Sequence, residues 1–501
     1  MFTCDFSKRG ELPLWEYLCA GLKRAVSDGT FPPGEKLPSK RALAGHLGVS
    51  VITVAAAYSQ LISEGWIYSI ERKGFFAAPV AEMRPDFSRR VRSTAASRTR
   101  SGKAGTTGGN RQAFFADFTG SSAAPEKFPF SRWSAIIRSI LRDPPEKLLT
   151  RCGPQGLPEL REEISSYLFK FRSIQAPPER IVVCPGTEYA YGMLVQLLGR
   201  ERIYAVENPG YRKTAEALRI HGAQCRPAGM DGEGIRIDEA EACGASVIHV
   251  SPSHHYPTGK VTPLKRRLEL LAWSAEGNRW ILEDDYDSEF RFSGRPLESL
   301  QSLSENAGNR RVIYTNTFTR TLAPSLRISY IVLPETLAEE FRQKLGFLSC
   351  AVPNLDQMAL ARFMHDGNLE THILRMKNHY RTVRNNLIAA IANGRLGGAA
   401  KIREENAGLH FLLTLDTGLR GAALKQTLAE SGIRVNLLAD YFFPGVPDQT
   451  GYAGSGAPPE EAERTLVVNY SALGRERITP AVRRMEQALA AYTRRGRQKA
   501  D

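Results

Sequence analysis

The chain has 501 residues, which is long enough for several domains of about 150 residues each. Hydrophobic residues make up 42% and charged residues 24% of the sequence, and this balance excludes a wholly disordered or fibrous protein. The seven cysteines include no CxxC pair, which argues against a disulfide framework or a zinc finger, and we expect no metal site.

No run of the sequence approaches 18 consecutive apolar residues, so we expect no membrane-spanning helix. The N-terminus, Met1 to Lys8, lacks a basic region followed by an apolar one. It therefore does not resemble a signal peptide, and a cytoplasmic location is expected.

Most of the net charge of +14 lies in two short segments. Residues 84–111 contain seven Arg, one Lys and one Asp, a net +7, and the last eight residues add a net +3, so together they hold +10 of the total. Concentrated positive charge favours a polyanionic partner such as DNA. The same charge would also serve a solvated linker without any partner.

The composition changes sharply near residue 85. Residues 86–112 are rich in Arg, Ser, Thr, Ala and Gly and have almost no apolar periodicity, which is typical of a flexible linker. The sequence therefore predicts a head at residues 1–80, a basic flexible linker at residues 81–115 and a body at residues 116–501.

Two short helices joined by a tight turn are predicted in the head. An amphipathic helix precedes them, with Leu14, Leu18, Leu22 and Val26 at four-residue spacing. The pair itself runs from Lys40 to Leu47 and, after Gly48-Val49-Ser50, from Ser50 to Glu64, with Ser39 and Ser50 as natural N-caps. This is a helix-turn-helix pattern, whose second helix enters a DNA groove.

A β-hairpin is predicted after the second helix, because Trp66-Ile67-Tyr68 and Phe75-Phe76 alternate around Glu71-Arg-Lys-Gly74. The string from Pro33 to Ser50, PGEKLPSKRALAGHLGVS, followed by Thr53-Val54, Tyr58, Leu61 and Glu64-Gly65, resembles the winged-helix domain of GntR-type bacterial regulators. The resemblance implies a double-stranded DNA operator as partner. It assigns DNA contacts to Ser39, Arg41, Ser50, Thr53, Lys73 and Gly74.

The head departs from that family at Val51, where the family usually has Arg. An Arg can form two hydrogen bonds to guanine, which are worth about 1–3 kcal/mol of discrimination, and Val cannot. We therefore expect an altered base preference.

In the body, short apolar runs alternate with amphipathic segments. This alternation predicts a mostly parallel sheet covered by helices on both faces. The predicted strands are Ile181–Cys184, Ile203–Val206, Val247–Val250, Trp280–Leu282, Val312–Thr315 and Ser329–Leu333, and the predicted helices include Glu188–Leu198 and Leu264–Glu276.

Polar segments follow these strands, at the edge where parallel sheets bind their ligands. They are Gly186-Thr187, Asn208-Pro-Gly-Tyr211, His254-His-Tyr-Pro-Thr-Gly259, Asp284-Asp-Tyr286 and Thr317-Phe-Thr-Arg320. In this order they resemble the fold type I aminotransferases, which bind pyridoxal 5'-phosphate, and the resemblance runs from about Thr150 to Leu473. A winged helix, a linker and such a body, with a small C-terminal α+β subdomain, are the architecture of the MocR-type regulators within the GntR group.

The resemblance implies a pyridoxal phosphate site. Gly186-Thr187 at a helix start would offer backbone N–H groups to the phosphate, together with Thr317 and Arg327. Asp284 would keep the pyridine nitrogen protonated. The implied residues are Gly186, Thr187, Tyr211, stacked on the ring, Asp284, Tyr286, at the ring hydroxyl, Thr317 and Arg327, while His255 and Tyr256 both stay open for the usual asparagine position.

Arg320 stands where the family has the lysine that forms a Schiff base with the cofactor. A Schiff base needs a neutral amine, and Arg stays protonated. No other lysine occurs between Lys265 and Lys344, and Val467 stands where many members have an Arg for the substrate carboxylate. We therefore expect the catalytic link to be lost, with the cofactor weakly held or absent and Arg320 as an anion clamp.

These features favour a homodimeric transcription regulator that binds an operator through its head. Its body would sense a small-molecule effector, such as an amino acid or its adduct with the cofactor, without completing catalysis. Two alternatives stay open. One is a working aminotransferase with a DNA-binding head, and the other is a cofactor-free module for metabolite binding or dimerisation.

Overall fold

A computed structural model describes residues 2–6, 9–10, 12–64, 66–70, 73–78, 114–120, 127–144, 146–292, 297–404, 406, 408–443 and 458–492. The chain divides into two compact units, Met1–Arg111 and Gln112–Asp501. The predicted linker at residues 81–115 lies outside the described residues except for its last two, and the basic segment Arg494–Asp501 also lies outside them.

The head consists of three helices and a hairpin: α1 (Leu14–Ser27), α2 (Lys40–Leu47), α3 (Val51–Ser63), β1 (Ile67–Ile70) and β2 (Gly74–Ala77). The two strands pair antiparallel, with Ile67 opposite Ala77. Leu18 and Leu22 of α1 pack against Leu43, Val54 and Leu61, and all five side chains are excluded from water. The predicted helix-turn-helix and wing are confirmed.

Two serine caps fix where the helices of the pair begin. Ser39 Oγ accepts a hydrogen bond from the Ala42 N–H at 3.2 Å, and Ser50 Oγ accepts one from the Thr53 N–H at 3.1 Å. Between them, Gly48 ends α2 with a positive φ of 65°, a conformation that costs little only for glycine. The predicted caps are confirmed, and they set the orientation of the first turn of α3.

The body contains two main β-sheets that pack against helices. Its strands are β3 (Ala116–Asp117), β4 (Ile181–Cys184), β5 (Ile203–Asn208), β6 (Gln224–Gly229), β7 (Val247–Val250), β8 (Trp280–Asp284), β9 (Val312–Thr317), β10 (Ser329–Val332), β11 (Ala400–Arg403), β12 (His410–Leu415), β13 (Ile433–Arg434), β14 (Asn436–Leu437) and β15 (Thr465–Asn469). Its α-helices are α4 (Phe130–Ile140), α5 (Glu146–Leu149), α6 (Pro158–Arg172), α7 (Thr187–Leu198), α8 (Arg212–Ile220), α9 (Ile237–Ala242), α10 (Leu264–Ala275), α11 (Leu300–Asn306), α12 (Phe318–Thr321), α13 (Glu335–Leu345), α14 (Asn354–His365), α15 (Asn368–Asn393), α16 (Gly421–Glu430) and α17 (Ile478–Leu489).

The larger sheet has seven strands in the order β4-β10-β9-β8-β7-β5-β6. Strand β10 runs antiparallel to both of its neighbours, and the other pairs are parallel. The carboxyl ends of β4, β5, β7, β8 and β9 therefore meet the start of β10 at one edge. All six predicted strands are confirmed, and β6 is an additional edge strand whose first half is polar and partly exposed.

Alternate residues of this sheet face two separate apolar clusters. In β4, Val182 and Cys184 pack on the side of α7, whereas Ile181 and Val183 pack on the side of α6 and α14. Burial on both faces explains why these strands are continuous apolar runs in the sequence.

The smaller sheet has the strand order β11-β12-β15-β14 and packs against α15, α16 and α17. Strand β3, at the start of the body, pairs in parallel with β13, so that Ala116 lies opposite Ile433. The predicted C-terminal α+β subdomain is confirmed. In the part of the chain that the structure describes, no helix is long and apolar enough to cross a membrane.

Candidate functional site

In the head, a basic cleft lies between the start of α2 and the hairpin. It has a volume of about 420 Å³, and its lining includes Lys36, Ser39, Lys73 and Gly74. Three of the predicted DNA-binding residues therefore share one surface, and Arg41 is exposed in the first turn of α2. Positive side chains around a helix start suit a phosphate backbone.

The other two predicted DNA contacts, Ser50 and Thr53, are engaged with each other. Their hydroxyl oxygens lie 2.8 Å apart, and Ser50 Oγ also accepts the Thr53 N–H. Within the head, these two residues therefore hold the first turn of α3 in place.

The body contains a cavity of about 310 Å³ at the edge of the larger sheet where the parallel strands end. It brings together six of the seven residues predicted for the cofactor: Thr187, Tyr211, Asp284, Tyr286, Thr317 and Arg327. The seventh, Gly186, lies directly behind Arg327, because a Cβ atom there would collide with the guanidinium. Gly186 also has a φ of 101°, so both its space and its backbone require glycine.

One end of this cavity is suited to an anion. Thr187 begins α7, whose first N–H groups have no partner within the helix, and the Arg327 guanidinium lies beside it and pairs with Glu188. The Thr317 hydroxyl accepts the Thr319 N–H at 3.2 Å and lies 2.7 Å from the Thr319 hydroxyl. Hydroxyls, a helix start and a guanidinium together form a cradle typical of a phosphate site.

Asp284 carries the opposite charge at the end of β8, and only 14% of its side chain is exposed. Its Oδ2 accepts a hydrogen bond of 3.1 Å from the Tyr191 hydroxyl, which also lies 2.9 Å from His249 Nε2. Burial raises the pKa of Asp284 to about 7, against the opposing effect of the Tyr191 hydrogen bond. Its Oδ1 is buried without a hydrogen-bond partner among the described residues.

These residues fit pyridoxal phosphate. A protonated ring nitrogen is the kind of donor that the unpartnered Oδ1 of Asp284 lacks. The Arg327 cradle offers positive charge and N–H groups to the phosphate at the other end. The cavity volume lies near the lower end of the range for small-ligand pockets, about 300–1,000 Å³.

Arg320 lies on α12 and lines the same cavity. Its guanidinium carbon is 6.0 Å from the centre of the Tyr286 ring. Within the described part of the chain, it forms no ion pair or hydrogen bond with a protein group. The residue at the expected lysine position is therefore an unpaired cation facing the cavity.

The structure distinguishes between His255 and Tyr256. Tyr256 lines the cavity and its hydroxyl lies 2.6 Å from that of Tyr441. His255 is buried behind it, with Nδ1 2.7 Å from the Thr258 hydroxyl. Val467 packs with Leu412 and Tyr441 in an apolar cluster that Tyr256 also contacts, so the position predicted for a carboxylate-binding Arg holds an apolar side chain.

Sequence reasoning missed several polar residues that also line the cavity, among them Glu188, Glu207, Lys213 and Asn469. Burial raises the pKa of Glu207 to about 8, and its Oε2 accepts the Ser251 N–H at 3.1 Å. Its position next to the polar turn after β5 was an available signal. Asn469 comes from the smaller sheet, and nothing in the local sequence connects it with this cavity.

Two family models match the chain. The model described as bacterial regulatory proteins, gntR family, matches residues 16–77, and the model described as aminotransferase class I and II matches residues 139–438. The predictions of a GntR-type head and an aminotransferase-like body are therefore confirmed.

Known proteins of similar sequence match most of the chain. The chain is 34% identical to the uncharacterized HTH-type transcriptional regulator YhdI of Bacillus subtilis, over 92% of this chain and 95% of that protein. It is 31% identical to the probable rhizopine catabolism regulatory protein MocR of Rhizobium meliloti, over 89% of this chain and 91% of that one. Among solved structures, LysN, an α-aminoadipate aminotransferase of Thermus thermophilus complexed with N-(5'-phosphopyridoxyl)-L-leucine, matches with a TM-score of 0.63 and 26% identity, covering 75% of this chain and 92% of LysN.

Proposed function

Given that this chain belongs to the MocR-type subfamily of GntR transcription regulators, we propose that its body is a non-catalytic sensor that binds pyridoxal phosphate without a covalent bond. The ligand that it senses is an amino acid or an amino acid already joined to the cofactor. The head binds a DNA operator, and the state of the cavity regulates that binding. The protein acts as a homodimer in the cytoplasm, with one head for each half of the operator.

The proposal rests on one cavity that holds both the residues that fit the cofactor and an arginine without an ion pair or hydrogen bond among the described residues. Asp284 and Arg327 offer the two charges that the cofactor needs, and Arg320 adds a cation that forms no ion pair or hydrogen bond among the described residues. A guanidinium stays protonated and is a poor nucleophile, but it binds carboxylates with two hydrogen bonds. Arg320 therefore suits the carboxylate of an amino acid better than the aldehyde of the cofactor.

Each residue has a defined task in this mechanism. Asp284 would accept a hydrogen bond from the protonated ring nitrogen at its unpartnered Oδ1, Arg327 would release Glu188 and bind the phosphate, and Arg320 would bind the carboxylate of the ligand. When bound, the cofactor would supply an aldehyde and an electron-withdrawing ring. Because Val467 offers no charge, we assign the carboxylate contact to Arg320.

The relatives support the choice of ligand. The LysN structure contains a leucine joined to the phosphopyridoxyl group, so a cavity of this fold has room for a joined ligand. We propose the same class of ligand here.

We also propose the domain boundaries at residues 80 and 115, with residues 81–115 as the tether between the head and the body.

Equilibrium dialysis of the purified protein, combined with borohydride treatment, tests the sensor proposal. We expect added pyridoxal phosphate to bind, and to be lost on further dialysis after treatment with borohydride. Retention of the cofactor on a lysine that lines the cavity, such as Lys213, would favour the working aminotransferase. Absence of binding at millimolar cofactor would favour the cofactor-free module.

Light scattering tests the proposed assembly independently. The chain has a mass of 55.5 kDa, and we expect twice this mass at micromolar concentration. A particle of one chain's mass under those conditions would contradict the dimer but leave the sensor proposal standing.

A further inference from the structure

Helix α3, the groove-reading helix of the head, has no charged side chain. Its sequence is VITVAAAYSQLIS. Its inward face consists of Val54, Ala57, Tyr58 and Leu61, all excluded from water. The outward face therefore carries only apolar and small side chains, apart from hydroxyls and one amide.

The first turn of α3 presents two apolar side chains to the outside. Val51 is 44% exposed and Ile52 is 81% exposed. The Ser50 cap holds this turn, since its Oγ bonds to the Thr53 N–H. Leaving an Ile mostly in water brings no benefit to the isolated head, because burying such a side chain stabilises a protein.

Helix α3 has few side chains that could form hydrogen bonds with the edges of bases. Gln60 donates to Glu64 Oε1 at 2.7 Å near the far end of the helix. The residues at the N-terminal end of a reading helix are the ones that contact base edges. There, Val51 and Ile52 have neither a donor nor an acceptor in their side chains.

The major groove offers one apolar feature that distinguishes bases, the C5-methyl group of thymine. We propose that Val51 and Ile52 read thymine methyl groups, so that the operator half-site carries thymines where the start of α3 enters the major groove. The inference rests on the DNA-binding function of the head and adds the base chemistry that it recognises.

The charges of the head lie elsewhere. Lys36 and Lys73 line the cleft beside the hairpin and Arg41 is exposed on α2. Contacts of such residues with phosphates add affinity at any sequence and carry little base information. Affinity and specificity are thus divided between the cations of α2 and the hairpin on one side and the apolar start of α3 on the other.

The test uses the full chain and an operator selected from a pool of random duplexes. Each thymine of the selected site is then replaced in turn by uracil, which keeps the base pairing and loses only the methyl group. We expect one or two replacements in each half-site to weaken binding by about fourfold, the effect of one buried methyl-sized group. Anisotropy titration at a fixed salt concentration measures the change.

Variants of the helix assign the effect to its residues. In Val51→Ala and Ile52→Ala, both exposed changes that should leave the fold intact, the thymine-to-uracil effect should shrink at the matching position. Ile62→Ala, at the other end of α3 and 38% exposed, serves as the matched control and should keep the full effect. Selection repeated with Val51→Arg should enrich guanine at that position.

Two results would overturn the inference. One is a wild-type protein that binds every uracil-substituted site as well as the original. The other is discrimination that stays complete in the double variant Val51→Ala/Ile52→Ala. If the protein selected no sequence and bound no duplex at any salt concentration, DNA binding itself would fail, and that outcome is distinguishable from both.

Discussion

In the head, apolar side chains are exposed at the start of α3, whereas in the body charged side chains line a cavity. The head exposes Val51 and Ile52 at the start of α3 and carries its cations on α2 and beside the hairpin. The body buries a carboxylate, Asp284, and turns two guanidinium groups, Arg320 and Arg327, into one cavity. In both regions, the local backbone geometry supports the groups that face outward or into the cavity.

This difference separates side chains that the local backbone structure requires from side chains that can change without disturbing the fold. Ser50 caps helix α3, and Gly186 allows the Arg327 guanidinium to lie close to the backbone, so the local structure requires both residues. Val51 and Arg320 project from that geometry and can change without disturbing it. A charged residue at position 51 would alter what the head can contact, whereas a lysine at position 320 would keep the charge of the cavity and change its reactivity.

The largest expected effect comes from restoring the amine in the cavity. In Arg320→Lys we expect borohydride to fix pyridoxal phosphate covalently at residue 320, because a lysine can supply the neutral amine that attacks the aldehyde. Mass spectrometry of the digested protein measures the fixed cofactor. Arg320→Ala is the matched control and should fix none, and an unchanged Arg320→Lys protein would contradict the cavity as a cofactor site.

Removing the buried carboxylate should have the next largest effect. Asp284→Asn loses the charged acceptor, and a hydrogen bond to a charged group is worth about 1.5–3 kcal/mol, so cofactor affinity should fall by about 10- to 100-fold. Equilibrium dialysis measures it. Asp238→Asn, on the exposed surface, should bind like the unaltered protein.

The same carboxyl group predicts a pH dependence. Its pKa in the folded body is raised to about 7 by burial, so it becomes charged as the pH rises through 7. Cofactor affinity should therefore increase between pH 6 and pH 7.5 in the unaltered protein. The increase should be smaller in Asp284→Asn, and an equal increase in both proteins would assign it to another group.

In the head, Arg41→Ala should weaken DNA binding by about tenfold, the loss of one charged contact. If Arg41 contacts a phosphate, binding should weaken equally for all sequences, and the slope of log affinity against log salt should decrease by about one. Filter binding over a range of salt concentrations measures both. Arg342→Ala, exposed on α13 of the body, is the control and should leave the slope unchanged.

The smallest effect is expected at the ion pair of the cradle. Glu188 occupies Arg327, and both side chains are about half exposed, so the pair is screened by water and worth roughly 0–1 kcal/mol. Glu188→Gln should therefore raise affinity for the cofactor, and for inorganic phosphate, by up to about fivefold. Glu216→Gln on α8 should have no effect, and a lower affinity in Glu188→Gln would assign Glu188 a supporting role.

The sequence predicted those parts of the molecule that depend on local rules. The caps Ser39 and Ser50, the buried strands and the polar turns after them can each be recognised from a few consecutive residues. Strand β6 was missed because its first half is partly exposed and polar at the sheet edge. The pairing of Glu188 with Arg327 joins residues 139 positions apart, and only the folded sheet brings them together.

The pairing of β3 with β13 ties the first residues of the body to its far end. Two residues beyond β3, Thr119 lines the cavity, and the Phe118 carbonyl accepts the N–H of Asn469, another lining residue, at 3.1 Å. Among the described residues, Thr119 is the first along the chain to line the cavity. One wall of the cavity therefore depends on backbone contact between the start of the body and β15.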